Sequence, residues 1–231
     1  AGALLELLRE NADRDVFLRH AGVSGLAGAG DIEALVNARK DASVSVRLAA
    51  VLALRRLYRP ELALYLDDEP VALEAARAIH DMPVPEAFPA LAARLEAPEG
   101  EPGLLLRAVN AAARLGRSDE LARTAAEAGR PVDVRRAALK ALAESAAPPG
   151  RDRVLGLWRP SPPGDPAKAR EALSSVLEAC LKPGPEALQG EALKAAALLG
   201  AGDTATFRRM ARAGFPSSVR AEALRGLAVR K

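Results

Sequence analysis

Val-Arg-Leu-Ala-Ala-Val-Leu-Ala-Leu, residues 46–54, returns almost unchanged as Val-Arg-Arg-Ala-Ala-Leu-Lys-Ala-Leu at residues 134–142. Within each copy the apolar residues fall at i, i+3, i+4, i+7 and i+8, which lines one face of an α-helix. The copies differ mainly at positions that this spacing turns toward solvent. Weaker copies begin at Leu18, Ala72, Leu105 and Gln189, and a close one runs from Val219 to Leu227. A phrase that repeats along a chain at roughly this period marks an array of supersecondary units.

Most starts lie about 30 residues apart, but the interval from Val134 to Gln189 is close to double that and leaves room for a degenerate unit. A second apolar segment precedes most copies: 32–38, 60–66, 86–95, 120–128, 169–181 and 204–213. Gly and Pro separate the segments, at Gly30-Asp31, Asp67 to Pro70, Pro83-Val84-Pro85, Pro98 to Gly103, Gly129 to Pro131, Pro183 to Pro185 and Gly214 to Pro216. Gly ends a helix in the left-handed conformation, and Pro opens the next one where no N–H is needed. Each unit therefore reads as an αα-hairpin, and a hairpin of this size needs neighbours on both sides to bury its apolar faces. The expected fold is all-α: an α-α superhelix, or solenoid, of about seven to eight helix-pair repeats spanning residues 1–231.

Composition agrees. The chain is 49% hydrophobic but only 3% aromatic, with Ala and Leu predominating. Such residues favour closely packed helices over sheet, where β-branched and aromatic side chains are enriched. The rhythm breaks between Pro148 and Pro166, where a short apolar piece, Arg153 to Trp158, sits in a Pro-rich stretch. Repeats of similar character resume beyond it, which favours one continuous array over a domain boundary at this point. No segment carries the 18 or so uninterrupted apolar residues of a membrane span. The opening AGALLELLRE has neither an initiator Met nor a basic-then-apolar leader, and the chain reads as a piece of something longer.

Catalytic chemistry finds little purchase. His20 and His80 are the only histidines and Cys180 the only cysteine, so no His-x-x-x-His or Cys-x-x-Cys metal or haem motif exists, and an intrachain disulfide is impossible. No cofactor or metal site is expected in this segment. Both histidines sit in repeat helices, where packing or surface placement is the ordinary reading, and Cys180 lies beside Leu177 and Leu181 as a small core residue. Gly25 to Gly30 is glycine-rich but follows a helix, so it lacks the strand that a phosphate-binding turn requires. Phe17, Phe88 and Phe207 share helical spacing with apolar neighbours and read as core.

Two features suggest interaction. Arg19, Arg47, Arg135 and Arg220 hold the same place in four repeat helices. Stacking would align them as a basic ladder for an acidic partner or a phosphate backbone. Alternatively each pairs with an Asp before its helix, such as Asp15, Asp41 or Asp133, or with one from the next unit. The near balance of 33 basic and 30 acidic residues, net +3, favours the structural pairing. Trp158, with Arg159, stands at the edge of the Pro-rich break. It either anchors a partner or pins an irregular segment onto the stack, and pinning is the commoner use.

The Val-Arg-x-Ala-Ala-x-x-Ala-Leu helix after an Asp-containing turn resembles the short HEAT repeats of the phycobilin-lyase type, over nearly the whole chain. Three further phrases, residues 11–21, residues 73–81 with Pro83, and Leu155 to Pro160, resemble the HEAT region of large exported proteins of planctomycete-type bacteria. In these membrane-bound dehydrogenase and c-type haem-binding proteins a sugar-dehydrogenase-like β-propeller precedes the HEAT region and a c-type haem domain with Cys-x-x-Cys-His follows it. The resemblance implies a non-catalytic spacer or docking scaffold, with a protein partner or the neighbouring domains of the same chain as what it holds, and a periplasmic or cell-surface location. No active-site or haem residue carries over, because neither motif is present.

Two other functions compete. A nucleic-acid-binding array or HEAT-like DNA glycosylase would need a basic groove with aromatic residues to hold a displaced base. Four Phe, two Tyr and one Trp, several of them core candidates, argue against it. A chromophore-handling, lyase-like protein would have Cys180 as its sole thiol.

Overall fold

The computed structural model describes residues 1–97 and 99–230; Pro98, one of the punctuation residues, and Lys231 lie outside the described residues. Among the described residues there are thirteen α-helices and no named strand. The all-α helix-pair fold expected from the repeats is the one observed. Among the described residues no helix is long and apolar enough to cross a membrane.

The chain divides into two compact units, Ala1–Arg94 and Leu95–Lys231. In the first, α1 (Gly2–Asn11) pairs with α2 (Val16–Ala29), and α3 (Ile32–Asn37) precedes α4 (Val44–Arg56). A 3-10 helix, Pro60–Tyr65, precedes α5 (Glu69–Asp81), and a second 3-10 turn, Pro85–Ala87, leads into α6 (Phe88–Ala93). The second unit opens with α7 (Pro102–Arg114). It then holds three pairs: α8 (Ser118–Ala126) with α9 (Val132–Ala143), α10 (Pro166–Cys180) with α11 (Glu186–Leu199), and α12 (Thr204–Met210) with α13 (Ser217–Ala228).

Each copy of the repeated phrase lies in a helix: α2, α4, α5, α7, α9, α11 and α13. The apolar face read from the sequence is buried where the phrase is cleanest, since Val46, Ala49, Ala50, Ala53 and Leu54 are all inaccessible. Val51 and Leu139, off that stripe, are equally buried. These helices lie between neighbours, α4 against α2 and α5, and α9 against α7, α8 and α11, so a broader arc is covered than for a surface helix. The double interval before Gln189 is filled by irregular chain at 144–165 and by α10, the first helix of its own pair, with no additional pair.

Asp residues start several helices as expected for short polar caps. Asp15 accepts from the N–H groups of Phe17 and Leu18, Asp31 from Ala34, Asp165 from Ala167 and Lys168, and Asp203 from Thr206. Gly30 and Gly200 end α2 and α11 with φ of 62° and 68°, in the left-handed region that a side chain disfavours. The 60–66 segment is 3-10 rather than α because its Pro and short length leave few i to i−4 bonds to be made. Its Tyr65 is buried and donates its hydroxyl to the Leu35 carbonyl, tying this segment to α3, and burial pushes the phenol well above its ordinary range.

Cys180 is buried as expected, and burial pushes its thiol up to about 11. Reaction with an aromatic disulfide reagent at pH 8 is therefore expected to be about two orders of magnitude slower in the folded protein than in urea. Equal rates would place the thiol at the surface. Phe88 and Phe207 are core residues, but Phe17 is not: it is 83% exposed. It sits in the first turn of α2, whose buried residues are Gly22, Val23 and Leu26, with Gly22 against Leu8 of α1, and Phe17 lies off that face.

Candidate interaction surface

The Pro-rich break lies inside the second unit and folds into a built loop. The Gly164 N–H donates to the Ser145 carbonyl at 2.8 Å and closes its base. Above that, Arg151 and Trp158 form an isolated antiparallel bridge, and Asp152 N–H donates to Leu157 O, Gly156 N–H to Asp152 O, and Arg159 N–H to Gly150 O, each at 2.8 Å. Asp152 also organises the turn through its side chain. Oδ1 accepts from the N–H groups of Val154 and Leu155, both at 2.9 Å, in the manner of an Asx turn.

The other carboxylate oxygen holds the loop on α7. Asp152 Oδ2 accepts from Asn110 Nδ2 at 2.6 Å and lies 3.5 Å from Arg114 Nη2, which itself donates to the Arg159 carbonyl at 2.8 Å. Asp152 is 5% exposed and Asn110 is buried too. Arg153 reaches back to Glu144 at 2.9 Å. A carboxylate leaves water at low cost only when it is paired and hydrogen-bonded, and this one is both.

That anchoring leaves the loop tip in solvent. Trp158 is 72% exposed and Leu157 50%. The Trp158 ring rests on Gly150, where an added Cβ would come within 2.4 Å of it. The expectation that Trp158 pins the irregular segment is therefore corrected: Asp152 pins it, and Trp158 is presented outward. Nothing in the repeat pattern singles out Asp152 or Asn110, which lie 42 residues apart.

The four matched arginines differ in placement. Arg47 donates from Nε to Asp68 at 2.5 Å and from Nη1 to the Asp41 carbonyl at 2.7 Å, joining the turns before α4 and α5. Arg135 is buried and donates to the Ala125 carbonyl at the end of α8 at 2.8 Å, not to Asp133, which lies 3.6 Å from Arg136. Arg19 faces Asp13 at 3.5 Å. Arg220 is half-buried, and its Nε has no hydrogen-bond partner among the described residues. Arg159 is half-buried.

Other arginines that sequence reading passed over do the same structural work. Arg130 donates to the carbonyls of Leu95 and Ala97, and Arg230 to those of Ala196, Ala201 and Gly202. The guanidinium has several donors in a planar fork and so can satisfy more than one orphan carbonyl at a helix end. Proximity to Gly and Pro turns was the available signal for them.

No protein-family model matches the chain, and no curated protein does. Likeness is found among solved structures. The chain is similar to designed armadillo repeat proteins. One of these, named YIII(Dq)4CqI, is 18% identical with a TM-score of 0.43 and covers 99% of this chain and 91% of its own. Computationally designed armadillo repeat proteins for modular peptide recognition are 20% identical with a TM-score of 0.32, covering 98% and 99%. An engineered protein is 21% identical with a TM-score of 0.30, covering 99% and 97%. Likeness at this level concerns the helical-repeat build and carries nothing about a ligand. Among the described residues no three His, Cys, Asp or Glu side chains gather as a possible metal site.

Proposed function

We propose that this chain is a non-catalytic interaction scaffold that holds a protein partner or neighbouring domains of a larger protein. The observation that carries the reading is the 151–159 loop: a buried carboxylate fixes it to α7, and it displays a Trp and a Leu to solvent. A rigid aromatic presented from a preorganised element loses little entropy on binding, and such residues dominate interface energies. The resemblance to HEAT regions of exported dehydrogenase-type proteins supports a finer reading, in which the segment docks between a propeller and a c-type cytochrome domain.

The test is cross-linking of the intact protein in its native cells, followed by identification of the peptides joined to this segment, for wild type and Trp158→Ala. Because Trp158 is mostly in solvent, its removal should barely affect folding. Loss of a central Trp anchor costs about 2 kcal/mol or more, so specific cross-links should fall roughly thirtyfold in affinity-limited conditions. Identical cross-link patterns in both proteins would remove the loop from the interface. Cross-links to propeller or haem-domain peptides would support the docking role, and their absence from an intact multidomain chain would end it.

A further inference from the structure

The first unit carries a groove of about 420 Å³ lined by α2 and the C-terminal half of α4, with Met82, after α5, also in its lining. Its apolar lining comes from Val23, Leu52 and Met82, with the exposed Val16 beside them. Its rim is cationic, formed by Arg19, Arg55 and Arg56 with the His20 ring among them. Beside it the first turn of α2 exposes Phe17 and Leu18.

The rim charges are only partly answered from within the chain. Arg19 faces Asp13 at 3.5 Å, and Arg55 lies 3.9 Å from Glu74, whose other oxygen is held by Arg77 at 3.0 Å. Arg56 is exposed. It donates to the Ser24 hydroxyl and meets His20 Nδ1 at 3.4 Å, and it pairs with no carboxylate among the described residues. Three guanidinium groups thus surround an apolar trough with two carboxylates at the edge of ion-pair range.

We infer that this groove docks an acidic, amphipathic peptide segment of a protein partner. One of its carboxylates sits on Arg56 and Arg19, and an adjacent apolar side chain fills the floor over Val23 and Leu52. Charge complementarity selects the sign of the partner, because a basic or neutral segment would leave the rim uncompensated as water is expelled. The apolar floor selects a peptide over a nucleic-acid backbone, which would have no apolar group to place there while its phosphates met the rim. Arginine suits the task because its planar fork takes a carboxylate in two hydrogen bonds. The inference rests on the scaffold reading and names a partner chemistry for a second surface of it.

The experiment is a fluorescence-anisotropy titration of a fluorescein-labelled short synthetic peptide alternating Glu and Leu, at low and at physiological ionic strength. Saturable binding is expected, and Arg56→Glu should weaken it by about tenfold or more, the loss of a charge-assisted hydrogen bond with a repulsion added. Arg225→Glu makes the same change of net charge on the exposed α13 surface of the other unit and should bind as wild type does. The inference is overturned if nothing saturates at low salt, if the Lys-Leu counterpart binds as well, if a short duplex DNA binds more tightly, or if Arg225→Glu weakens binding as much as Arg56→Glu. Should the groove fail while Trp158→Ala still releases a cross-linked partner, the groove alone falls and the scaffold reading stands.

Discussion

Replacing Asp152 with Ala is expected to release the 151–159 loop from α7 and to lower the stability of the second unit by about 3 kcal/mol. Four donors lose their acceptor at once: two loop N–H groups, the Asn110 amide and, more distantly, the Arg114 guanidinium. The loop N–H groups can turn to water when the loop lifts. Asn110 is buried in α7 and loses its 2.6 Å hydrogen bond to the carboxylate. Asp152→Asn should cost less, because an amide oxygen can still accept from Val154 and Leu155, but its NH2 then meets that of Asn110. Urea unfolding gives the stability, and trypsin gives the loop, since Arg151 and Arg153 lie within it and neither precedes a Pro. Faster cleavage there with an unchanged unfolding midpoint would mean that the anchor orders the loop without supporting the unit. Both unchanged would contradict the geometry.

Phe207→Ala should cost about 3–5 kcal/mol, the range for emptying a core aromatic site. Phe207 of α12 is fully buried, and α13 approaches its ring at Gly226, where an added Cβ would lie 2.2 Å from a ring carbon. The Arg230 guanidinium covers the same ring at 4.2 Å from its centroid. Gly226→Ala alone is expected to destabilise by about 1–3 kcal/mol through overpacking, reduced by the better helix propensity of Ala. In the Phe207→Ala background the clash is gone. The same Gly226→Ala change should then become neutral or stabilising by up to about 1 kcal/mol. The four-protein cycle, read by denaturant midpoints, must show this loss or reversal of the Gly226→Ala penalty. Additive effects would mean that the ring moves aside freely.

The two predictions concern features of different legibility. Phe207 was marked as core by its helical spacing, and burial bears this out. Phe17, read by the same rule, is exposed, because spacing locates a stripe but does not say which stripe meets a neighbour when Gly and Ala leave several candidates. Trp158 is the sole Trp, yet its direction follows from the anchoring of the loop by Asp152, which no pattern marks. The arginines show the same division: Arg47 reaches an Asp of the next unit, whereas Arg135 reaches a carbonyl instead of the Asp two residues before it.

What the sequence by itself determined is local and periodic. The seven repeated phrases, the Asp caps and the Gly and Pro stops each act within a turn or two of helix, where hydrogen-bond geometry and side-chain direction follow directly from residue order. Only the tertiary structure decided which loop carbonyl each arginine satisfies, that a carboxylate in a Pro-rich stretch locks onto Asn110 of α7, and that a cationic rim surrounds the apolar trough on α2 and α4. Those outcomes depend on which elements meet across tens of residues. A carboxylate or guanidinium reads the same in sequence wherever it lies, and only packing fixes whether it finds a partner, a carbonyl or solvent.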